Sequence, residues 1–187
     1  AVDGLLGLLS EKKKFYGTEK AFAVKPFVNS GRFKFAASIT TVSQYKAAKD
    51  LDRIYVPVSL LVKNKTVFSP GDDRITVLLP KINHDDRREL LENMISEAKG
   101  MGYEHFCAAN YGDFDICDSA DYPLWCYNSR AAQGFSELGT ERICLSPEMN
   151  IVQIRAMKSA VPCEAVVYGK LPLMTAVSCF AQNAGSC

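Results

Sequence analysis

The sequence lacks an apolar run long enough to cross a membrane, a secretion signal, and an excess of charge of one sign. A transmembrane helix needs about 18 or more apolar residues in a row, and no such run occurs. The short apolar stretch 5–9 precedes the lysines at 12–14, which reverses the order found in signal peptides. With 22 Lys and Arg against 21 Asp and Glu, the formal net charge is +1, so a strongly basic nucleic-acid footprint is absent and only a local basic patch is left open. These absences predict a cytoplasmic protein with no membrane partner.

The sequence also lacks the short motifs that mark common catalytic sites. It has no HExxH zinc motif, no glycine-rich phosphate loop and no CxxC pair. Only two histidines occur, and the pattern places His84 in the first turn of an exposed helix and His105 at the start of a strand. A serine or cysteine nucleophile therefore has no well-placed base, which weighs against a hydrolase.

The chain contains seven cysteines, so at least one thiol is unpaired in a monomer. Without a secretion signal, reduced thiols are expected. Cys107, Cys126 and Cys144 lie in apolar, strand-like runs and are interpreted as small buried hydrophobic residues. Cys179 and Cys187 lie in the small, polar stretch SCFAQNAGSC, where cysteines are more often ligands or reactive thiols. Zinc and iron–sulfur sites usually take four ligands, so these two cysteines do not complete a site alone.

Apolar residues make up 48% of the 187 residues and charged residues 23%, as in globular domains. Strand-like and helix-like segments alternate with short connections, which is typical of a parallel sheet covered by helices. The predicted strands are residues 33–39, 53–61, 74–82, 105–109, 124–127, 142–145 and 164–168. The predicted helices follow the capping residues Thr41, Asn83, Asn128 and Ser146.

Seven strands are one short of a closed (β/α)8 barrel, which typically takes about 250 residues. The pattern therefore predicts an incomplete TIM-like α/β barrel with about seven mostly parallel strands, with an open sheet as the alternative. Residues 1–30 are predicted to form an N-terminal helix and connector, and residues 31–187 a barrel-like domain truncated at its C-terminal end. The start at Ala1 and the end at Cys187 suggest a piece of a longer chain.

Polar residues follow the last four predicted strands: Asn110, Asn128, Glu148 and Lys170. Because function in parallel α/β folds lies at the carboxyl ends of the strands, these side chains are expected to share one opening. Three of them also have an ordinary interpretation. Asn128 would cap a helix, Glu148 would complement a helix dipole, and Lys170 would be a solvated charge beside Tyr168.

The segment YNSRAAQGFSELGTERICLSPEMNIVQIRAM, followed by EAVVYGKLPLMTAVSC, resembles the signature region of the collagenase-like peptidase family U-32. The resemblance covers about residues 100–187. Residues 33–99 are similar to the second, more divergent barrel-like half of the long members.

This resemblance implies a barrel-like fold and, from well-studied members, a role in hydroxylating RNA bases or the ubiquinone ring. Several such members carry a 4Fe–4S cluster on four cysteines, whereas others are described as collagenases. By position, Cys179 and Cys187 match two cluster ligands, so the other two would lie outside this chain. Glu148 matches the acid after strand six, and the usual His-Gly pair is Tyr168-Gly169 here, as in the long members.

The favoured hypothesis is therefore a domain of an iron–sulfur-dependent factor for hydroxylation of an RNA base. The candidate catalytic residues are Glu148, Asn128, Tyr168 and Lys170. The alternatives are a collagenase-like peptidase and a non-catalytic scaffold domain of a longer chain. The isolated chain is expected to be inactive and to hold no complete cluster. The expected partners are the rest of the same polypeptide, RNA or a small organic donor, and a second copy paired through the open sheet edge.

Overall fold

The computed structural model describes residues 26–27, 31–172, 175 and 185, and within them one seven-stranded sheet. Its strands lie in chain order, and every neighbouring pair is parallel. They are β1 (Ala36–Ser38), β2 (Arg53–Pro57), β3 (Ile75–Leu78), β4 (Phe106–Ala108), β5 (Ser119–Ala120), β6 (Arg142–Cys144) and β7 (Cys163–Glu164). The predicted incomplete barrel is confirmed. The division into 1–30 and 31–187 stays a prediction, because residues 1–25 and 28–30 lie outside the described residues.

The sheet is strongly curled, and one hydrogen bond demonstrates it. The Tyr55 hydroxyl on β2 donates to the Glu164 carboxylate on β7 at 2.7 Å. In a flat sheet these strands would stand about 24 Å apart, since each of the five strand spacings is about 4.8 Å. The sheet must therefore fold back on itself as a half-barrel, although β1 and β7 are not paired with each other.

Five described α-helices and three 3-10 helices connect the strands. The α-helices are α1 (Val42–Ala47), α2 (Val58–Lys63), α3 (Arg88–Gly100), α4 (Ser129–Glu137) and α5 (Ile151–Ala156). The 3-10 helices are Asp85–Arg87, Tyr111–Ile116 and Tyr122–Leu124. Side chains cap three of the α-helices as their sequences require. Thr41 and Asn150 form capping boxes, and Asn128 accepts from two amides of α4.

The hydrophobic core lies between the convex face of the sheet and the helices. Ile54 and Val56 on β2 have no exposed surface, and their register partners Ile75 and Val77 on β3 are equally buried. Burying one such side chain stabilises the fold by about 1.5–3 kcal/mol. A first cluster gathers β1 to β4 with α1 to α3, and a second gathers β5, β6 and α4.

Only the first half of the segment 53–61, predicted as a strand, forms one, and the second half is helical. β2 ends at Pro57, and α2 begins at the next residue without a loop. Val58 and Leu61 are both buried, at the three-residue spacing of a helix face. The apolar run hides this change from a period of two to a period of 3.6, because no polar residue separates the two elements.

The fifth strand was predicted at 124–127, and this is wrong. β5 is Ser119–Ala120, Leu124 ends a 3-10 helix, and Cys126 makes only an isolated parallel bridge to Leu145. The seventh strand is likewise shorter than the predicted 164–168.

Two predicted caps are also wrong. A 3-10 turn with His84 at its N-cap precedes α3, so Asn83 lies one residue outside it. Ser146 accepts from the Glu148 amide in a turn, and Asn150 caps the helix that follows. Turn chemistry and capping chemistry use the same residue types, and this explains both errors.

Candidate functional site

The concave face of the half-barrel, the side away from the helices, carries polar side chains. Strand side chains alternate between the two faces, so the residues between the buried core positions point into the hollow. The register places twelve such strand residues on this face: Ala36, Ser38, Arg53, Tyr55, Pro57, Thr76, Leu78, Cys107, Ser119, Arg142, Cys144 and Glu164. Nine of the twelve carry a polar group or a thiol, and Ala36, Pro57 and Leu78 do not. Barrel interiors are usually packed with branched apolar residues. A hollow with this composition is suited to holding a polar molecule.

Glu164 is the centre of an ionic network within the concave face. Its Oε1 lies 3.3 Å from Arg142 Nε and 4.0 Å from Arg53 Nε, and its Oε2 accepts from Tyr55. Arg53 also donates to the fully buried Thr76 hydroxyl at 3.0 Å. Two guanidinium groups thus share one carboxylate, so the network carries a net positive charge.

Burial raises the pKa of Tyr55 far above its usual range, and the nearby Glu164 charge raises it further. The Tyr55 hydroxyl therefore stays protonated near neutral pH and serves as a hydrogen-bond donor. Its hydrogen bond fixes Glu164 of β7 against β2 across the hollow, and the proton stays on the Tyr55 oxygen.

The carboxyl edge, where the strands end, holds a second group: Lys81, Asp121 and Tyr122. The Lys81 ammonium contacts the Tyr122 hydroxyl and lies 4.4 Å from the centre of its ring. Burial raises the pKa of Asp121, whereas its hydrogen bond with the Tyr122 amide and the Lys81 charge oppose that rise. Asp121 also contributes, after burial, to the raised pKa of Cys107 and of Cys144, so it borders the concave face.

Asn110 occupies the same edge, but its hydrogen bonds are internal. Its amide donates to the Pro80 carbonyl at 3.0 Å and to the buried Asp113 carboxylate at 2.6 Å, and its Oδ1 accepts from Gly112. These bonds tie the chain after β3 to the chain after β4. Asn110 therefore holds the carboxyl edge together.

The four predicted catalytic residues are all exposed. Asn128 accepts from the Arg130 and Ala131 amides at the start of α4. Glu148 offers its backbone carbonyl to the Tyr127 hydroxyl at 3.4 Å, with its carboxylate exposed. Tyr168 is 96% exposed, and Lys170 is exposed two residues later. No described hydrogen bond or ion pair joins these four to one another, and their catalytic role stays a prediction.

The predicted cluster ligands Cys179 and Cys187 lie outside the described residues. Among the residues that are described, no group of three His, Cys, Asp or Glu is placed to hold a metal ion. Burial raises the pKa of Cys117 and of Cys126 to about 12 and that of Cys107 higher than usual, so these thiols stay protonated. The described part of the chain therefore does not supply a cluster site.

Sequence reasoning missed the network on the concave face and the group at the carboxyl edge. A signal for the network was present, because Arg53, Arg142 and Glu164 are charged residues inside strands that are otherwise apolar. Charges are rarely buried without a partner. The carboxyl-edge group depended on the true position of β5, which the misplaced fifth strand concealed.

Within the described part of the chain, no helix is long and apolar enough to span a bilayer. Neither a curated protein nor a solved structure matches the sequence significantly. One family model does match, that of peptidase family U32, over residues 69–186. The match spans well over half of the 187 residues and includes β3 to β7 with the whole carboxyl-edge group. The chain therefore belongs to peptidase family U32.

Proposed function

We propose that this chain is the polar binding half-barrel of a U32 protein that acts in iron–sulfur-dependent hydroxylation of an RNA base. The observation that carries the proposal is the concave face. Arginines, a carboxylate and hydroxyl groups stand where a closed barrel would pack hydrocarbon. Such a face binds and orients a polar molecule through fixed donors and acceptors.

Proteolysis receives less support from the same residues. A cysteine or serine protease needs its nucleophile hydrogen-bonded to a base. Among the described residues, no serine or cysteine bonds to a histidine, and His105 pairs with Asp118 at 2.5 Å at the opposite end of β4 from the carboxyl edge. The thiols of the concave face are also held protonated by burial.

The proposal assigns the 4Fe–4S cluster to Cys179, Cys187 and two ligands from outside this chain. The support is the resemblance to the family, in which cysteines at these two positions are cluster ligands; among the described residues, no group of three His, Cys, Asp or Glu is placed to hold a metal ion. Electron transfer is the chemistry that such a cluster supplies. The residues of the half-barrel hold and position the substrate.

The test is a comparison of RNA nucleosides by mass spectrometry with and without the gene that encodes this chain. The proposal expects one hydroxylated nucleoside to disappear on deletion and to return with the wild-type gene. The variant Arg142→Gln should fail to restore it, because the concave face loses a charged donor. The matched variant Arg155→Gln, at an exposed position on α5, should restore it. An unchanged set of hydroxylated nucleosides would overturn the proposal.

The cluster is tested separately with Cys179→Ser and Cys187→Ser. Each variant should lose the hydroxylated nucleoside as fully as the deletion does, with protein levels unchanged. Cys163→Ser is the matched control, because Cys163 is an exposed described cysteine. Full activity of both Cys179→Ser and Cys187→Ser would contradict the assignment of the cluster to these cysteines.

A further inference from the structure

Trp125 combines an unfavourable backbone conformation with an exposed ring. Its φ is 57° and its ψ 46°, and it is the one non-glycine residue with positive φ among those described. It is also the single tryptophan of the chain, and it is 55% exposed. A non-glycine residue in the left-handed region carries a conformational free-energy cost. Burial of the ring does not offset that cost here, because the ring is exposed.

The backbone on both sides of Trp125 is fixed by hydrogen bonds. Its amide donates to the Tyr122 carbonyl at 3.1 Å, closing the 3-10 turn that Asp121 caps. The Tyr111 hydroxyl donates to the Leu124 carbonyl at 3.0 Å. The Cys126 carbonyl accepts from the Ser146 amide at 2.9 Å. Three hydrogen bonds, from its own turn, from Tyr111 and from Ser146, thus fix the backbone from which the exposed indole projects.

The position is the carboxyl edge of the sheet. Trp125 follows β5 and the Lys81–Asp121–Tyr122 group. The next exposed aromatic residue, Tyr127, is tied through its hydroxyl to the loop after β6. An exposed flat ring therefore lies at the same edge of the sheet as an ammonium and a carboxyl group, which are groups that hydrogen-bond the polar edge of a planar molecule.

We propose that Trp125 is the stacking platform for an unpaired RNA base at the carboxyl edge. Proteins that recognise single-stranded RNA stack splayed-out bases on aromatic rings and read their edges with polar groups. Chemistry on a base also requires the base to leave its stack. This inference rests on the proposed function and names the residue that receives the substrate.

The fluorescence of the single tryptophan tests this directly. Titration of the chain with short, mixed-sequence single-stranded RNA should quench the emission of Trp125 saturably. In anisotropy measurements with labelled RNA, Trp125→Ala should weaken binding by roughly 5- to 150-fold, the range for loss of one stacked base. Trp125→Phe should retain most of the affinity. Phe33→Ala is the matched control, because Phe33 is an 81% exposed aromatic residue outside the carboxyl edge.

Three results would overturn the inference: no quenching by RNA, wild-type affinity in Trp125→Ala, or equal quenching by an aromatic peptide. Circular dichroism of each variant separates lost binding from lost folding. The proposed function fails separately. If RNA quenches Trp125 but deletion of the gene leaves every hydroxylated nucleoside in place, the stacking role of Trp125 is supported and the proposed hydroxylation is contradicted.

Discussion

Residues that alternate along the same strands face either the helices or the hollow, and the two sets differ in chemistry. On β2, Ile54 and Val56 are fully buried among hydrocarbon, whereas Arg53 and Tyr55 join the Glu164 network. On β6, Ile143 is in the core and Arg142 is in the network. The helix side accounts for the stability of the fold. The hollow side accepts the free-energy cost of burying polar groups, and the proposed function explains that cost as substrate binding.

The largest effect is expected on the helix side. Ile54→Ala should lower the free energy of unfolding by about 2–5 kcal/mol, because it leaves a cavity in a fully buried position. Denaturant unfolding measures it. Ser59→Ala, at an exposed site on α2, should change stability by less than about 0.5 kcal/mol. Equal effects of the two substitutions would remove the distinction between core and surface.

The second prediction compares the burial of the two faces through the pH dependence of the free energy of unfolding at alkaline pH. Burial raises the pKa of Cys126, on the helix side, to about 12, and it raises that of Cys144, in the hollow. In the unfolded chain thiols titrate near their ordinary pKa of about 8.5. Each thiol's contribution to the free energy of unfolding is therefore complete below that pH. It is lost as the pH rises toward the folded pKa, by at most about 1.4 kcal/mol per thiol for each pH unit.

Unfolding measured under reducing conditions at several pH values gives this slope. Cys126→Ala and Cys144→Ala should each make the slope shallower by a similar amount. If only Cys126→Ala makes the slope shallower, Cys144 is accessible to solvent in the hollow.

The third prediction concerns the network itself. Glu164→Gln should lower the free energy of unfolding by about 1–3 kcal/mol, because charge-assisted hydrogen bonds are lost and two arginines keep no shared carboxylate. Tyr55→Phe should cost less in the Glu164→Gln background than in the wild type, since the bond that it removes there is to a neutral amide oxygen and is no longer charge-assisted. Fully additive effects in this double-mutant cycle would contradict the network.

The smallest effect should be a gain in stability. Trp125→Gly should raise the free energy of unfolding by about 1 kcal/mol, because glycine accepts the left-handed conformation without the side-chain cost. Trp125→Ala keeps the Cβ atom and should leave stability nearly unchanged. Thermal unfolding distinguishes the two variants. A loss of stability in Trp125→Gly would mean that the indole packs as part of the fold.

The sequence predicted those elements whose local signals agree. Thr41 and Asn128 cap helices where expected, because their side chains satisfy free amides close in sequence. Helix α3 ends at Gly100, a residue type that favours helix ends. Prediction failed where an apolar run changes element without a polar break, as at Val58, and where a strand is only two residues long, as in β5.

The candidate site was harder to predict than the fold. Asn110 was placed correctly at the carboxyl edge, yet its partner Pro80 is 30 residues away and cannot be read from local pattern. Lys81 and Tyr122 are 41 residues apart, and Tyr55 and Glu164 are 109 apart. Such pairs depend on how far the sheet curls, which no short segment encodes.

The order of strands and helices, their parallel arrangement and the membership in family U32 followed from the sequence, because periodicity, capping residues and family motifs are local properties of the chain. The tertiary structure alone decided which charges meet and which ring stays exposed. Curling brings β2 opposite β7 and so gives the buried charges their partners, and hydrogen bonds from distant segments hold Trp125 in a conformation that its own residue type disfavours.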